Sequence, residues 1–597
     1  MMTTLHSCRL AAIALGLVAG ASVAAAQELS KEITADREIV PELAPATRLN
    51  VYPTPARPDF TPVDLTPLTS ASMTRYTPAA AMFVPAFSGR AAALTPYRGY
   101  VDAGYYPDTD LMLSAGYAPV SNATTRLSIW LNASNSTVGA RQPATSALPQ
   151  SALTGDFRSV DLAGGVDFAN RFAAGNLTIA TDIAYSNFNR TLTVKNQNTL
   201  TWNLKGAWHG QGPNGLEYNA GARFGIFRIG RPSFFNFVDD PDTPGNTALQ
   251  IVDIPLKGNR ETTFGLDLGA SLPAGENGRF GLDVAATFVG LNRFLSPDGA
   301  NTPGADAATP AQRLDMLVNA DGKTYGVATF TPHYTWSANA FTAKAGVRVD
   351  LNINCGKALH IAPDITAAYN PTPLFGATIS LGGGEHINSV ASLFATSCFT
   401  SPMHAYNPSN IPLTGRIALK TTPVGGLTIE AGAEYANAHD WLIPLWEARG
   451  LYAYGTFESH NLHSFKAFAR VSATWRDIVA FEGRIDHRFG NKDRVDSFWY
   501  DWLDGARTVV GITATVHPID RLEITAGYEG RIDRRLMALQ TGTGRQWHNL
   551  SAGAGYRITP QLSAFVRMNN ILSKPLQGYF LYPGSRLNGL FGVAFKF

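Results

Sequence analysis

From residue 98 to the final Phe597 the chain runs in stretches of about ten residues in which apolar and polar side chains alternate, divided by clusters of Gly, Pro, Asn and Asp. A period of two sends successive side chains to opposite faces of an extended strand. In Leu522-Glu523-Ile524-Thr525-Ala526-Gly527-Tyr528-Glu529, one face carries Leu522, Ile524, Ala526 and Tyr528, and the other carries Glu523, Thr525, Gly527 and Glu529. Over residues 465–475, Phe465, Ala467, Ala469, Val471, Ala473 and Trp475 share a face opposite Lys466, Phe468, Arg470, Ser472 and Thr474. The next stretch sets Phe481 and Ile485 against Glu482, Arg484, Asp486 and Arg488, and the last gathers Leu587, Phe591, Val593, Phe595 and Phe597.

A water-soluble sandwich alternates in the same way, so strand length separates the two cases. Stretches of about 10 to 14 residues with aromatic ends match a tilted membrane-crossing strand, which needs ~9–11 residues, whereas soluble strands average ~5–6. Within hydrocarbon every backbone donor and acceptor must be paired inside the protein, which closes the sheet on itself. The expected fold is all-β: an antiparallel transmembrane barrel of a Gram-negative outer membrane, apolar outside and polar inside. Composition agrees, because only 16% of the residues are charged against a usual ~25%. A net charge of +2 argues against a nucleic-acid partner.

The links between stretches come in two alternating lengths. Short turns are expected at Ala118-Pro119, Ala173-Ala174-Gly175, Gly212-Pro213-Asn214-Gly215, Pro273-Ala274-Gly275, Ser337-Ala338, Pro371-Thr372-Pro373, Pro423-Val424-Gly425, Arg476-Asp477, Pro518-Ile519-Asp520 and Thr559-Pro560. Longer polar links occupy 135–155, 230–260, 296–321, 385–412, 491–504 and 573–586. Short periplasmic turns and long outer loops are the habit of outer-membrane barrels. Ten turns, with both barrel ends on the periplasmic side, require about 22 strands.

Ahead of the strands, Arg9 precedes an apolar run over 10–23 that ends in Ala24-Ala25-Ala26-Gln27, the pattern of a secretory signal peptide (1–26) cut after Ala26. Cys8 precedes the apolar run rather than following it, so no lipid anchor is implied. Residues 27–97 are Pro-rich and lack periodicity, as expected of an extended segment in the periplasm or the lumen. After Val23 no apolar run is long enough for a membrane helix. Two cysteines follow the signal, Cys355 and Cys398, both in expected loops. Export permits a disulfide between them, and two unrelated buried thiols is the equal alternative.

The C-terminal run Phe565-Val566-Arg567-Met568-Asn569-Asn570-Ile571-Leu572, with Gly578-Tyr579, Pro583-Gly584-Ser585-Arg586 and Phe595-Lys596-Phe597, resembles the end of TonB-dependent outer-membrane receptors. Asn570-Ile571 and Pro583-Gly584-Ser585-Arg586 stand at the matching places, with Ser585 inserted relative to the usual spacing. The resemblance spans 98–597 and implies a 22-stranded barrel, with Phe597 as the terminal aromatic read by the barrel-assembly machinery. That family also carries a globular plug and an energy-coupling box before the barrel. Here only the Pro-rich stretch precedes it, so the resemblance implies a barrel whose plug is missing, truncated or replaced, and does not extend to energy-coupled uptake.

Candidate functional residues are the charges expected on the inner face: Glu430, Glu434, Lys466, Arg470, Glu482, Arg484, Asp486, Arg488, Glu523, Glu529, Arg531 and Asp533. They are read either as a solute pathway or as cross-strand ion pairs that hold register. Trp441, Trp446, Trp499 and Trp502, near the outer ends, suit an interfacial girdle, with ligand stacking as the alternative. Asp239, Asp240 and Asp242 read as a solvated loop more readily than as a cation site. Gly382-Gly383-Gly384 lacks the Lys-Ser/Thr of a phosphate loop and reads as a bend or strand end. No His-Glu-x-x-His or Gly-x-Ser-x-Gly motif points to an enzyme, and neither a metal nor a cofactor is expected. The expected role is solute passage across the outer membrane. The alternative is a non-transporting barrel that docks or assembles an envelope complex. Expected partners are outer-membrane lipid, the assembly machinery and a separate plug, lipoprotein or periplasmic protein.

Overall fold

The computed structural model describes residues 97–106, 110–141, 154–189, 196–230, 233–239, 247–253, 260–292, 324–396, 408–449, 452–476, 478–489, 506–534, 546–574 and 587–597. The expected signal peptide and nearly all of the Pro-rich segment lie outside them.

The strands are β1 (Gly99–Tyr106), β2 (Asp110–Ser121), β3 (Thr125–Arg141), β4 (Thr154–Phe172), β5 (Gly175–Phe188), β6 (Gln197–Gln211), β7 (Glu217–Gly230), β8 (Ser233–Asp239), β9 (Thr247–Asp253), β10 (Arg260–Pro273), β11 (Gly278–Asn292) and β12 (Thr324–Ala338). They continue with β13 (Phe341–Ile353), β14 (Leu359–Thr372), β15 (Phe375–His386), β16 (Ser409–Val424), β17 (Leu427–Arg449), β18 (Tyr452–Trp475), β19 (Val479–Phe489), β20 (Ala506–Ile519), β21 (Leu522–Arg534), β22 (Gln546–Arg557), β23 (Leu562–Asn569) and β24 (Asn588–Lys596). Twenty-two of them form one antiparallel sheet. Each pairs with the next, β7 pairs with β10, and β1 pairs with β24, which closes the barrel. The remaining two, β8 and β9, make a separate hairpin within the long polar link expected at 230–260. Asp239 ends β8, and Asp240 and Asp242 lie outside the described residues.

The alternation sorts the two faces. Ile183, Leu204, Leu268, Leu282, Ile417, Ile485, Ile512 and Val593 are apolar side chains left exposed on the outer face of strands all round the barrel. Such a belt is stable only against hydrocarbon, because a contiguous apolar surface of this extent is not left in water. No helix among the described residues is long and apolar enough to cross a membrane. Aromatic pairs mark the short-turn rim: Phe172 with Trp208, Trp336 with Phe341, and Tyr117 with Phe597.

The barrel ends meet at this rim, where Phe597 accepts hydrogen bonds on its carbonyl from the backbone N–H groups of Arg98 (2.7 Å) and Gly99 (2.8 Å). All ten expected turns fall within a few residues of a strand junction at this rim. The widest offset is at Ala118-Pro119. The chain stays extended there through a register shift between Tyr117 and Val120 and turns instead at residues 122–124. Asn122 directs that turn, its side-chain oxygen accepting from the N–H of Thr124 (3.0 Å) and Thr125 (2.6 Å). Pro119 needs no ladder bond at the irregularity, which is where a strand tolerates proline.

Candidate functional site

The inner face carries most of the charged side chains of the strands. On β16–β19 the register aligns two rows. One runs Arg416, Glu434, Lys466, Arg488 and the other Lys420, Glu430, Arg470, Arg484. Lys466 Nζ lies 2.6 Å from Glu434, and Arg416 bridges Glu430 (2.7 Å) and Glu434 (3.5 Å). Arg470 stands 4.0 Å from Glu430. Lys466 opposite Arg488 and Arg470 opposite Arg484 are like-charge neighbours, an unfavourable arrangement that the two glutamates of β17 offset from the other side of β18.

Glu482 lies opposite Ser472, and Asp486 opposite Phe468. Phe468 is an apolar side chain on this polar face, only 4% exposed, held between the guanidinium groups of Arg416 (4.8 Å) and Arg470 (5.2 Å). Gly432 opposite makes the room, since a Cβ there would lie 2.6 Å from the ring. Further round, Arg531 bonds Glu529 at 2.8 Å, Asp533 lies 3.6 Å from Arg507, and Glu523 lies 3.1 Å from His517.

The charges expected from the sequence all lie between Glu430 and Asp533, but the lattice continues beyond them. Arg223 pairs with Asp267 (3.6 Å), Arg279 with Glu217 (3.3 Å), Lys344 with Asp364 (2.7 Å) and Arg348 with Asp350 (2.9 Å). All of these obey the same alternation and were available to it. Near the short-turn end a recess of about 500 Å³ opens among Arg171, His209, Glu217, Asp283 and His333. The glycine triplet proves to be a bulge inside β15: the register shifts between Gly382 and Gly384, and Gly384 has a φ of +131°. A Cβ at Gly384 would lie 2.3 Å from Arg348 Nε, so only glycine lets the Glu385 N–H reach Asp350 at 2.8 Å.

At the long-loop end the link after β15 turns into the barrel and forms a short helix, α1 (Val390–Thr396). Val390 and Phe394 pack on Phe188, Phe227, Ile229, Val289, Leu291 and Tyr325, side chains from the inner faces of β5, β7, β11 and β12. Phe394 lies 5.7 Å from the Phe227 ring and 6.2 Å from that of Phe188. Glu261 of β10, 1% exposed, accepts the backbone N–H groups of Val390 and Ala391. Tyr325 donates its hydroxyl to the Asn388 carbonyl at 2.7 Å.

Cys355 is buried in this cluster, its thiol 3.6 Å from the Gly326 carbonyl, and Cys398 lies outside the described residues. Trp441 departs from the girdle expectation. A register shift between Ala438 and Trp441 turns it inward, where it packs with Ala438 and Leu462 and lies 5.2 Å from the His386 ring. The Trp446 side chain, Trp499 and Trp502 fall outside what is described. Among the described residues no group of three or more His, Cys, Asp or Glu is placed to hold a metal ion.

Neither a family model nor a curated protein matches the sequence. Solved structures do match the fold. A ferric enterobactin receptor mutant from Pseudomonas aeruginosa superposes with a TM-score of 0.58 at 10% identity, over 84% of this chain and 80% of that one. The siderophore receptor PirA from Acinetobacter baumannii gives 0.59 at 9% identity, over 84% and 80%. The FrpB iron transporter from Neisseria meningitidis gives 0.59 at 11% identity, over 84% and 81%. At such identities the likeness is one of fold: a closed 22-stranded antiparallel barrel, like those of these Gram-negative outer-membrane proteins, with an apolar belt that suits lipid.

Proposed function

We propose that this barrel carries a solute across the outer membrane through its polar lumen. The observation that carries the reading is the inner wall rich in charged side chains inside a closed sheet whose outer face is apolar. The matched receptors and transporter, named for siderophores and iron, support solute uptake as the general task. On this reading Glu430, Glu434, Lys466, Arg470, Glu482, Arg484, Asp486, Arg488, Glu523, Glu529, Arg531 and Asp533 line the path. Residues 1–26 are an export signal, and 27–97 form an arm on the periplasmic side or within the lumen. Phe597 is the aromatic that the assembly machinery engages. No enzymatic step enters the reading.

The test is conductance in planar bilayers. The full mature chain should conduct, and deletion of residues 27–97 should raise conductance. A deletion that stays silent would count against a solute path and favour the docking role.

A further inference from the structure

We propose that α1 is an internal strap narrowing the outer mouth of the lumen, and that Glu261 is the positioning residue that holds it there; this rests on reading the lumen as a passage. Seven residues are too few to form a helix unaided, so α1 exists because its surroundings complete it. A helix leaves its first N–H groups without partners. Ser389 takes one of them, its hydroxyl oxygen accepting from the Ser392 N–H at 3.0 Å, while Ser392 accepts the Ser389 N–H at 3.0 Å. The two between, on Val390 and Ala391, are met by the Glu261 carboxylate, which reaches them from β10 with Oε2 and Oε1.

The dependence is mutual. A carboxylate this deeply buried is stable only where donors meet it, and the positive end of a helix supplies both donors and field. The helix, Val-Ala-Ser-Leu-Phe-Ala-Thr, has no charged side chain of its own. It is also attached by apolar packing and by neutral bonds, among them Tyr325 to Asn388 and Asn388 Nδ2 to Ser409 Oγ at 2.9 Å. The Glu261 clamp therefore decides whether the segment lies against the wall of β5, β7, β11 and β12 or leaves it. With Glu261 cut back to alanine, two N–H groups face an apolar pocket without acceptors, and the strap reaches water by swinging out of the mouth.

The experiment places cysteines at Phe227 and Phe394, whose rings touch, in a chain carrying Cys355→Ser and Cys398→Ser, and treats it with a short bis-maleimide in detergent and in planar bilayers. With Glu261 present the crosslink should form. With Glu261→Ala its yield should fall about tenfold, the effect of losing a charge-assisted hydrogen bond in a buried place. Glu261→Gln, which keeps one acceptor oxygen, should fall between, and Tyr325→Phe should change the yield only a few-fold. Conductance should rise several-fold in Glu261→Ala. A heat-dependent gel shift confirms that each variant is a folded barrel. Unchanged crosslinking in Glu261→Ala overturns the role of Glu261, and lost crosslinking without a rise in conductance overturns the strap as a constriction. Absence of conductance in every variant would instead strike the passage reading, while the crosslinking ratio still judges the clamp.

Discussion

Replacing Leu268 with arginine should lower the stability of the membrane-inserted barrel by about 2–4 kcal/mol, the range for a basic side chain at the midplane of a barrel's lipid face. Leu268 sits near the middle of β10 and is 41% exposed, between Ala220 on β7 and Val284 on β11. Its sequence neighbour Asp267 points the other way, to Arg223 at 3.6 Å with both side chains nearly half exposed. Asp267→Asn should therefore change stability by only about 0–1 kcal/mol. Urea-dependent folding into lipid vesicles measures both. Equal effects at the two positions would remove the distinction between a lipid face and a water face.

The second large effect is expected at the seam. Gly592 on β24 pairs with Gly104 on β1 and with Phe565 on β23. A Cβ at Gly592 would lie 2.4 Å from the Ala103 carbonyl oxygen and 2.3 Å from the Phe565 ring. The ring could shift, but the carbonyl belongs to the ladder that closes the barrel, so relief there means opening the seam. Gly592→Val should cost about 3 kcal/mol, the upper range of overpacking, and reduce the folded fraction on a heat-modifiability gel. Gly206→Ala is the matched control, because nothing lies within 4 Å of a Cβ at that glycine. A fully folded Gly592→Val barrel would show that the seam has slack.

The barrel was legible because its information is local. Alternation assigns each side chain to a face, and turns such as Pro213-Asn214-Gly215, with Asn214 at φ 58° and Gly215 at φ 72°, advertise themselves by residue type. The charged wall was only half legible. Glu430 and Lys466 stood out by parity, but their link through Arg416 depends on a register that no single strand contains. The mouth was not legible. Val390 and Phe394 look like stray apolar residues in a polar link, and Glu261 looks like any carboxylate at a strand start. Those residues are 129 positions apart for the Glu261–Val390 bond, and only the closed sheet brings them together. Trp441 escaped for a related reason, since one irregularity in the ladder reverses the face of everything beyond it.

The most direct test of the lipid-facing closed sheet is single cysteines at residues 264 to 269 of β10, in a chain lacking Cys355 and Cys398, reconstituted in vesicles and treated with a charged, membrane-impermeant maleimide. Gly265, Asp267 and Gly269 lie on the inner face, and Phe264, Leu266 and Leu268 on the outer. Labelling should alternate, with the odd positions reacting and the even ones protected by hydrocarbon. Uniform labelling at all six would contradict the account.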